Sequence, residues 1–224
     1  MKVNKTTIFR FLRYLPLIVL VVLLTFFVVR NGISAIDNLI AKFSNRRWLT
    51  AAAFMGLFLI KSVSFGLPYT LLYIAIGSIY PLGWALVLNI LGIAVNMQIP
   101  YFFGRSAGRG YTDRLLVKFP KFGDLEGFSQ RSGVFFTFMV KFIGLVPHEI
   151  SNIFLGSLHV PYVKYMTGGI LGLLPGMVAT TLIGISIKTP DSPVFIISVV
   201  VVVLLVVLSF VLYRRQVSSN SPRI

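Results

Sequence analysis

Lys61–Pro81, KSVSFGLPYTLLYIAIGSIYP, and Lys141–Pro161, KFIGLVPHEISNIFLGSLHVP, decide the fold, because they carry the same punctuation twice. Lys61 and Lys141 lie 80 residues apart, Pro68 and Pro147 lie 79 apart, and Gly77 and Gly156 are again 79 apart. Pro81 pairs with Pro161, Leu91-Gly92 with Leu171-Gly172, and Gly104 with Gly184. An offset held at 79–80 over six landmarks reads as an internal repeat. In each copy an apolar arm bearing one lysine breaks at glycine and proline, a short arm follows, and a long apolar run starts after the second proline.

Lengths turn this pattern into a shape. Leu49 to Phe65 is apolar except for Lys61 and breaks at Gly66-Leu67-Pro68. The twelve residues from Tyr69 to Tyr80 give about 18 Å of helix at about 1.5 Å each. A bilayer's hydrocarbon core is about 30 Å thick. The second arm is therefore too short to cross, and residues 49–80 are expected to form a re-entrant hairpin with its tip at Gly66 and Pro68. Gly133 to Leu145, apolar except for Lys141, breaks at Gly144-Leu145-Val146-Pro147 and returns to Leu158, giving a second hairpin with its tip at Gly144 and Pro147. A full span follows each hairpin, Leu82–Phe103 and Pro161–Ile187. A hairpin returns to its own side and the span after it crosses, so the second unit starts on the opposite face. The repeats are thus inverted, as in many secondary transporters.

The rest of the chain agrees with a membrane setting. Of 224 residues, 56% are hydrophobic and only 12% charged, and mean hydropathy is +0.88. Soluble domains carry about 25% charge, so a disordered chain, a collagen and an ordinary soluble enzyme are excluded. There is no cysteine, which removes disulfides, thiolate metal sites and thiol catalysis. The N-terminal Met1–Arg13 is basic, and Tyr14–Val29 after it is apolar. With Arg30-Asn31-Gly32 following and no small-x-small cleavage site, this reads as a retained anchor helix. From Ile33 to Arg47, Ile33, Ile36, Leu39, Ile40 and Phe43 share one helical face, as in a helix lying in the interface or a soluble amphipathic connector. Val194–Tyr213 is a final Val-rich helix before Arg214 and Arg215.

The expected architecture is an all-α polytopic membrane protein, with about four transmembrane helices plus two re-entrant helical hairpins in inverted repeats. Residues 1–48 form the anchor and interfacial helices. Residues 49–185 form a core of two hairpin-plus-span units (49–104 and 133–185), and 186–224 form a C-terminal transmembrane helix and tail. With the N- and C-termini in the cytoplasm, residues 1–13, 104–132 and 214–224 hold 13 of the 21 basic residues, and the outer segments hold 5. The positive-inside rule favours that orientation. The net charge of +15 then belongs to cytoplasmic loops and anionic headgroups rather than to nucleic acid.

Two facing hairpin tips imply a polar cavity, because broken helices persist in a bilayer only where protein or water covers the freed backbone. Glu149, just past the second tip, is the single acidic residue in any apolar segment. An intramembrane carboxylate marks function by default, here proton coupling or cation pairing. The competing reading is a structural ion pair with Lys141 or Lys61. His148 beside it has the chemistry of a proton relay, or it is structural. Lys141 and Lys61 occupy equivalent points on the two first arms. Each can hold a phosphate as a point charge or simply snorkel. Arg105 and Arg109 in Gly104–Gly110 lack the Gly-Lys-Ser/Thr of a P-loop and a preceding strand. Arg105 caps the carbonyls at the span's end or meets a lipid phosphate. No zinc-protease or nucleophile-elbow signature is present, and two histidines without cysteine leave little for a metal. No catalytic residue, metal or cofactor is expected.

Three motifs resemble a known family. Phe103-Gly104-Arg105 followed by Gly108 is similar to F/Y-x-G-R-x-x-G; Pro147, Asn152 and Gly156 are similar to P-x-x-x-x-N-x-x-x-G; and Gly172-Leu173-Leu174-Pro175-Gly176 is similar to G-x-L-P-G. In this order, over about residues 49–185, the chain resembles the DedA superfamily, in its SNARE-associated Golgi or VTT-domain (Tvp-like) branch. It departs from that family in carrying Lys141 where Arg is usual, Gly144 where Pro is usual, and no acidic residue in the first hairpin. The resemblance implies lipid transport, of undecaprenyl phosphate or phospholipids in bacterial members and by scrambling in eukaryotic ones. It points to Arg105, Lys141, Pro147 and Asn152.

The expected function is a lipid translocator in a bacterial plasma membrane. An anionic headgroup would meet Lys141, Arg105, Asn152, Lys61 and Arg109, and movement would be passive or proton-coupled through Glu149 and His148. The alternatives are a small-ion or small-solute secondary transporter using the same cavity, and a non-transporting scaffold. Expected partners are membrane lipids with anionic headgroups or a polyprenyl phosphate, and no nucleic acid; a homo-oligomer is left open.

Overall fold

The computed structural model describes residues 46–63, 67–118, 132–144 and 146–220. Among them are eight helices and no strand: α1 (Arg47–Val63), α2 (Tyr69–Ile79), α3 (Leu82–Ala107), α4 (Arg109–Lys118), α5 (Gly133–Ile143), α6 (His148–Ser157), α7 (Tyr162–Ile185) and α8 (Pro193–Asn220). Among the described residues three stretches are long and apolar enough to cross a bilayer, namely α3, α7 and Pro193–Leu212 of α8. The chain is thus an all-helical membrane protein. The expected fourth span, at 14–29, and the tip residue Gly66 lie outside the described residues, as does the interfacial helix apart from Arg46 and Arg47.

Prolines set the helix starts. Pro68, Pro81, Pro147 and Pro161 are the N-cap residues of α2, α3, α6 and α7, all with ψ between 134° and 152°. A proline ring disfavours helix in the residue before it and has no N–H to give a preceding turn. Each one therefore closes one segment and opens the next. At the second break Gly144 adds a left-handed residue (φ 61°, ψ 29°), the conformation that ends helices and that glycine adopts without strain. With 11, 11 and 10 residues, α2, α5 and α6 reach only about 15–17 Å.

The 79–80 offset reappears in three dimensions as exchanged packing. Within each unit the first arm lies on its own span, α1 on α3 and α5 on α7. The second arms cross over, so α2 packs on α7 and α6 packs on α3. Glycines make these crossings close. A Cβ at Gly77 would fall on the Thr181 carbonyl, and one at the equivalent Gly156 on the Tyr101 carbonyl. A Cβ at Gly184 would strike Ile74, and one at Gly104 would strike Ile153. The first-arm contacts match too: Gly92 faces the Phe58 ring, and Gly172 faces the Phe138 backbone. The spans meet along the centre, where Asn89 Nδ2 donates to Thr181 Oγ1 (2.9 Å) and Tyr165 Oη donates to the Met97 carbonyl (2.8 Å).

Two expectations are corrected. The first span continues past Phe103 to Ala107, and the charged segment 104–132, expected as a loop, contains α4. Thr112 ties α4 to the core by donating to Ser157 Oγ at 2.8 Å. A helix this polar does not register in a reading based on apolar runs.

Candidate substrate site

Lys141 sits in the last turn of α5, where its Cβ rests against Gly172 of α7. The side chain is 2% exposed. Its ammonium donates to the His148 carbonyl (3.0 Å) and to Asn152 Oδ1, so it straddles the α5–α6 break. Both acceptors are neutral.

The other lysine has a different environment. Lys61, in the last turn of α1, forms a buried ion pair with Glu149 in the first turn of α6. Both ends suit the helix dipoles, which favour cations at C-termini and anions at N-termini. Lys61 Nζ also lies 4.1 Å from the centre of the Tyr69 ring. Tyr69 donates to Asn96 Oδ1, and Asn96 Nδ2 donates to the Phe58 carbonyl (3.0 Å). Tyr69 stacks on Tyr73 (5.6 Å between ring centres) and touches His148 (5.3 Å). Among the described residues Glu149 is the only buried carboxylate. With Lys61 matched to Glu149, the ionised cluster keeps one positive charge in excess, on Lys141.

Lys141 faces a cavity of about 490 Å³, within the range of about 300–1,000 Å³ typical of ligand pockets. Tyr69, Tyr73, Lys141 and His148 give it a polar side, and apolar residues of α7 and α8 supply most of the remainder. Among the described residues, the buried Tyr73 Oη, His148 Nδ1 and Asn152 Nδ2 have no hydrogen-bond partner, and Tyr73 and His148 line the cavity. Buried polar groups are normally satisfied, so the two on the cavity are unused valences for a ligand. The Tyr73 hydroxyl is a donor, as an oxyanion requires.

The structure therefore gathers Lys61, Lys141, His148, Glu149 and Asn152, with Pro147 and Gly144 shaping the break beside them. It does not gather Arg105. That residue is exposed, nine residues and about 13 Å along α3 from Asn96. Arg105 Nη1 donates to Tyr101 Oη (2.9 Å), which in turn donates to the Val160 carbonyl (2.7 Å). Arg109 opens α4, and its side chain lies outside the described residues. Pro68 caps α2 and leads into Tyr69. Lys61 does not line the cavity; its charge is taken by Glu149. Sequence reasoning missed Tyr69, Tyr73 and Ser209. The tyrosines follow Pro68 one helical turn apart, and Ser209 is a polar interruption of the α8 apolar run. Its hydroxyl lies 3.0 Å from the Phe142 carbonyl and 2.8 Å from its own Leu205 carbonyl. Phe142 is in the last turn of α5, whose carbonyls have no intrahelical donor. Ser209→Ala should lower thermal stability in detergent by about 0.6 kcal/mol, the mean for such interhelical bonds, and by at most about 1.7 kcal/mol; no change would mean the hydroxyl stays on Leu205.

The family model of the VTT domain matches residues 67–186, more than half of the chain. The chain belongs to the VTT-domain family of the DedA superfamily. Undecaprenyl phosphate transporter A of Bacillus subtilis (strain 168) is 27% identical over 135 residues, covering 54% of this chain and 68% of that protein. No solved structure matches the chain. The VTT-domain match takes in α2 through α7 and so contains Lys141, His148, Glu149 and Asn152. It leaves out α1, which carries Lys61, and α8, which closes one side of the cavity.

Proposed function

We propose that this VTT-domain protein moves a phosphate-bearing lipid between leaflets, holding the headgroup at Lys141 while the hydrocarbon chain stays in the bilayer. The carrying observation is the buried Lys141 amine, whose two hydrogen-bond acceptors are both neutral oxygens, on the wall of a cavity where the Tyr73 hydroxyl has no partner among the described residues. Phosphate oxygens would take up the excess charge and the free valence of Tyr73. The relative's name, an undecaprenyl phosphate transporter, supports the same substrate class. In this reading α1–α2 and α5–α6 are re-entrant hairpins facing from opposite sides, the termini are cytoplasmic, and the membrane is the bacterial plasma membrane. Protonation of Glu149 would release Lys61 and change the charge beside the site, which gives a pH gradient a point of action.

The test is translocation in liposomes containing purified protein, following labelled undecaprenyl phosphate and a fluorescent phospholipid. A hydrogen bond to a charged group contributes about 1.5–3 kcal/mol, so Lys141→Ala should slow transport about 10- to 100-fold. Lys141→Arg should retain part of the rate. Full activity of Lys141→Ala would refute the headgroup role. Flux of a soluble anion with neither lipid moving would favour solute transport instead.

A further inference from the structure

The geometry points to a lateral portal between α2 and α8, through which the hydrocarbon chain of the bound lipid leaves the cavity; this rests on the headgroup reading of Lys141. Three observations carry it. First, a cavity of about 490 Å³ holds a phosphate and the first carbons of its chain, so the rest of a long chain must lie outside. Second, among the described residues the walls are sealed unevenly. α7 packs against α2, α5 and α8, and α5 packs against α8, but α2 and α8 face each other across the cavity without packing extensively together. Third, one stripe of α8 borders the cavity, with Val206 and Phe210 at its open rim, 64% and 53% exposed. Val202, Leu205, Val206, Ser209 and Phe210 line the cavity at i, i+3, i+4, i+7 and i+8, one stripe of a helix.

These facts give the portal two edges. Ser209 and Phe210 lie near the α5 break, where the Ser209 hydroxyl reaches the Phe142 carbonyl, so that end of the stripe is pinned. Val202 and Val206, about one turn apart, form one edge of the seam, and Thr70 and Tyr73 of α2 form the other. The sides have matching chemistry for one occupant: a cation and a free donor at the head, and aliphatic side chains where a chain would leave. α8 lies beyond the VTT match, so the chain-selecting wall stands outside the matched core. Val202 and Val206 are its specificity-determining residues.

Photo-crosslinking of the full-length protein in phosphatidylcholine liposomes tests this, using undecaprenyl phosphate with a diazirine in its first isoprene unit. Adducts that vanish in Lys141→Ala should map to Thr70, Tyr73, Val202 and Val206. Lys141-dependent adducts on the outer stripe of α8 (Val203, Leu204, Val207), or spread evenly round it, would overturn the portal and leave the headgroup site standing. Adducts indifferent to Lys141→Ala would overturn both. A rate measurement gives an independent reading. Val202→Trp should slow movement of the long-chain lipid at least tenfold and keep the Lys141-dependent adduct on Tyr73, which also reports that the site is folded. Val203→Trp, on the lipid-facing side, should stay within twofold of the unaltered protein. Equal rates for both tryptophan variants would overturn the portal.

Discussion

Glu149→Met will destabilise the folded protein by about 3–5 kcal/mol, because it leaves Lys61 a buried ammonium with no counter-charge. Lys61→Met will act in the same direction by stranding the carboxylate. The double variant Lys61→Met/Glu149→Met will recover most of the loss, since a buried pair roughly balances its own desolvation and can be replaced by apolar side chains of similar volume. Thermal unfolding in detergent, run as a double-mutant cycle, reads all three. Single-variant losses under about 1 kcal/mol, the scale of an exposed pair, would mean that water reaches the two groups. The double variant also separates stability from transport: a folded protein without Glu149 shows directly whether any lipid movement responds to a pH gradient when that carboxylate is absent.

The second large effect lies at the exchanged arms. Gly104→Val, Gly156→Val, Gly77→Val and Gly184→Val each drive a side chain into a backbone carbonyl of a neighbouring helix. Overpacking usually destabilises by about 1–3 kcal/mol when side chains can give way. A main-chain carbonyl has no rotamer to adopt, so these four should reach or exceed the top of that range. They should also behave as repeat-related pairs, Gly77 with Gly156 and Gly104 with Gly184. Gly56 and Gly83 are the controls, since nothing lies within 4 Å of a Cβ at either. Gly→Ala there should be neutral or stabilising by up to about 1 kcal/mol through helix propensity. Yields of folded protein and melting temperatures measure the contrast, and equal tolerance at all six positions would contradict the close crossings.

Much of this arrangement was legible because glycine and proline act locally. Pro68, Pro81, Pro147 and Pro161 mark helix starts whatever surrounds them, so the breaks fall where the sequence puts them. The repeat offset carried the equivalence of the halves. It could not say that α2 lies on the other half's span, because an offset records likeness and not adjacency. The paired glycines held that information, since Gly77 and Gly184 have a use only if helices cross there. At the site, the sequence offered Glu149 two lysines at equivalent points. Only the seating of both α1 and α6 on α3 brings Lys61 to Glu149, and that choice leaves Lys141 with neutral partners. Arg105 carries a motif that suggested a phosphate, yet its place at the end of α3 puts it by Tyr101 instead. The part played by α8 was hidden for another reason: in a run of valines every face is apolar, and no pattern shows which one turns inward.

The exchange of second arms has a consequence in time. α6 is made after the span it lies on, for Gly156 meets Tyr101, already synthesised. For α2 the order is reversed, since Gly77 meets Thr181, 104 residues further along. At about 5–20 residues per second a ribosome needs about 5–20 s to reach it. Throughout that interval an 11-residue apolar arm, too short to cross the bilayer, lacks the span it is built to rest on. The two crossings are alike in space and unlike in birth. The first must be sheltered until the second half of the chain arrives, whereas the second can dock as it emerges.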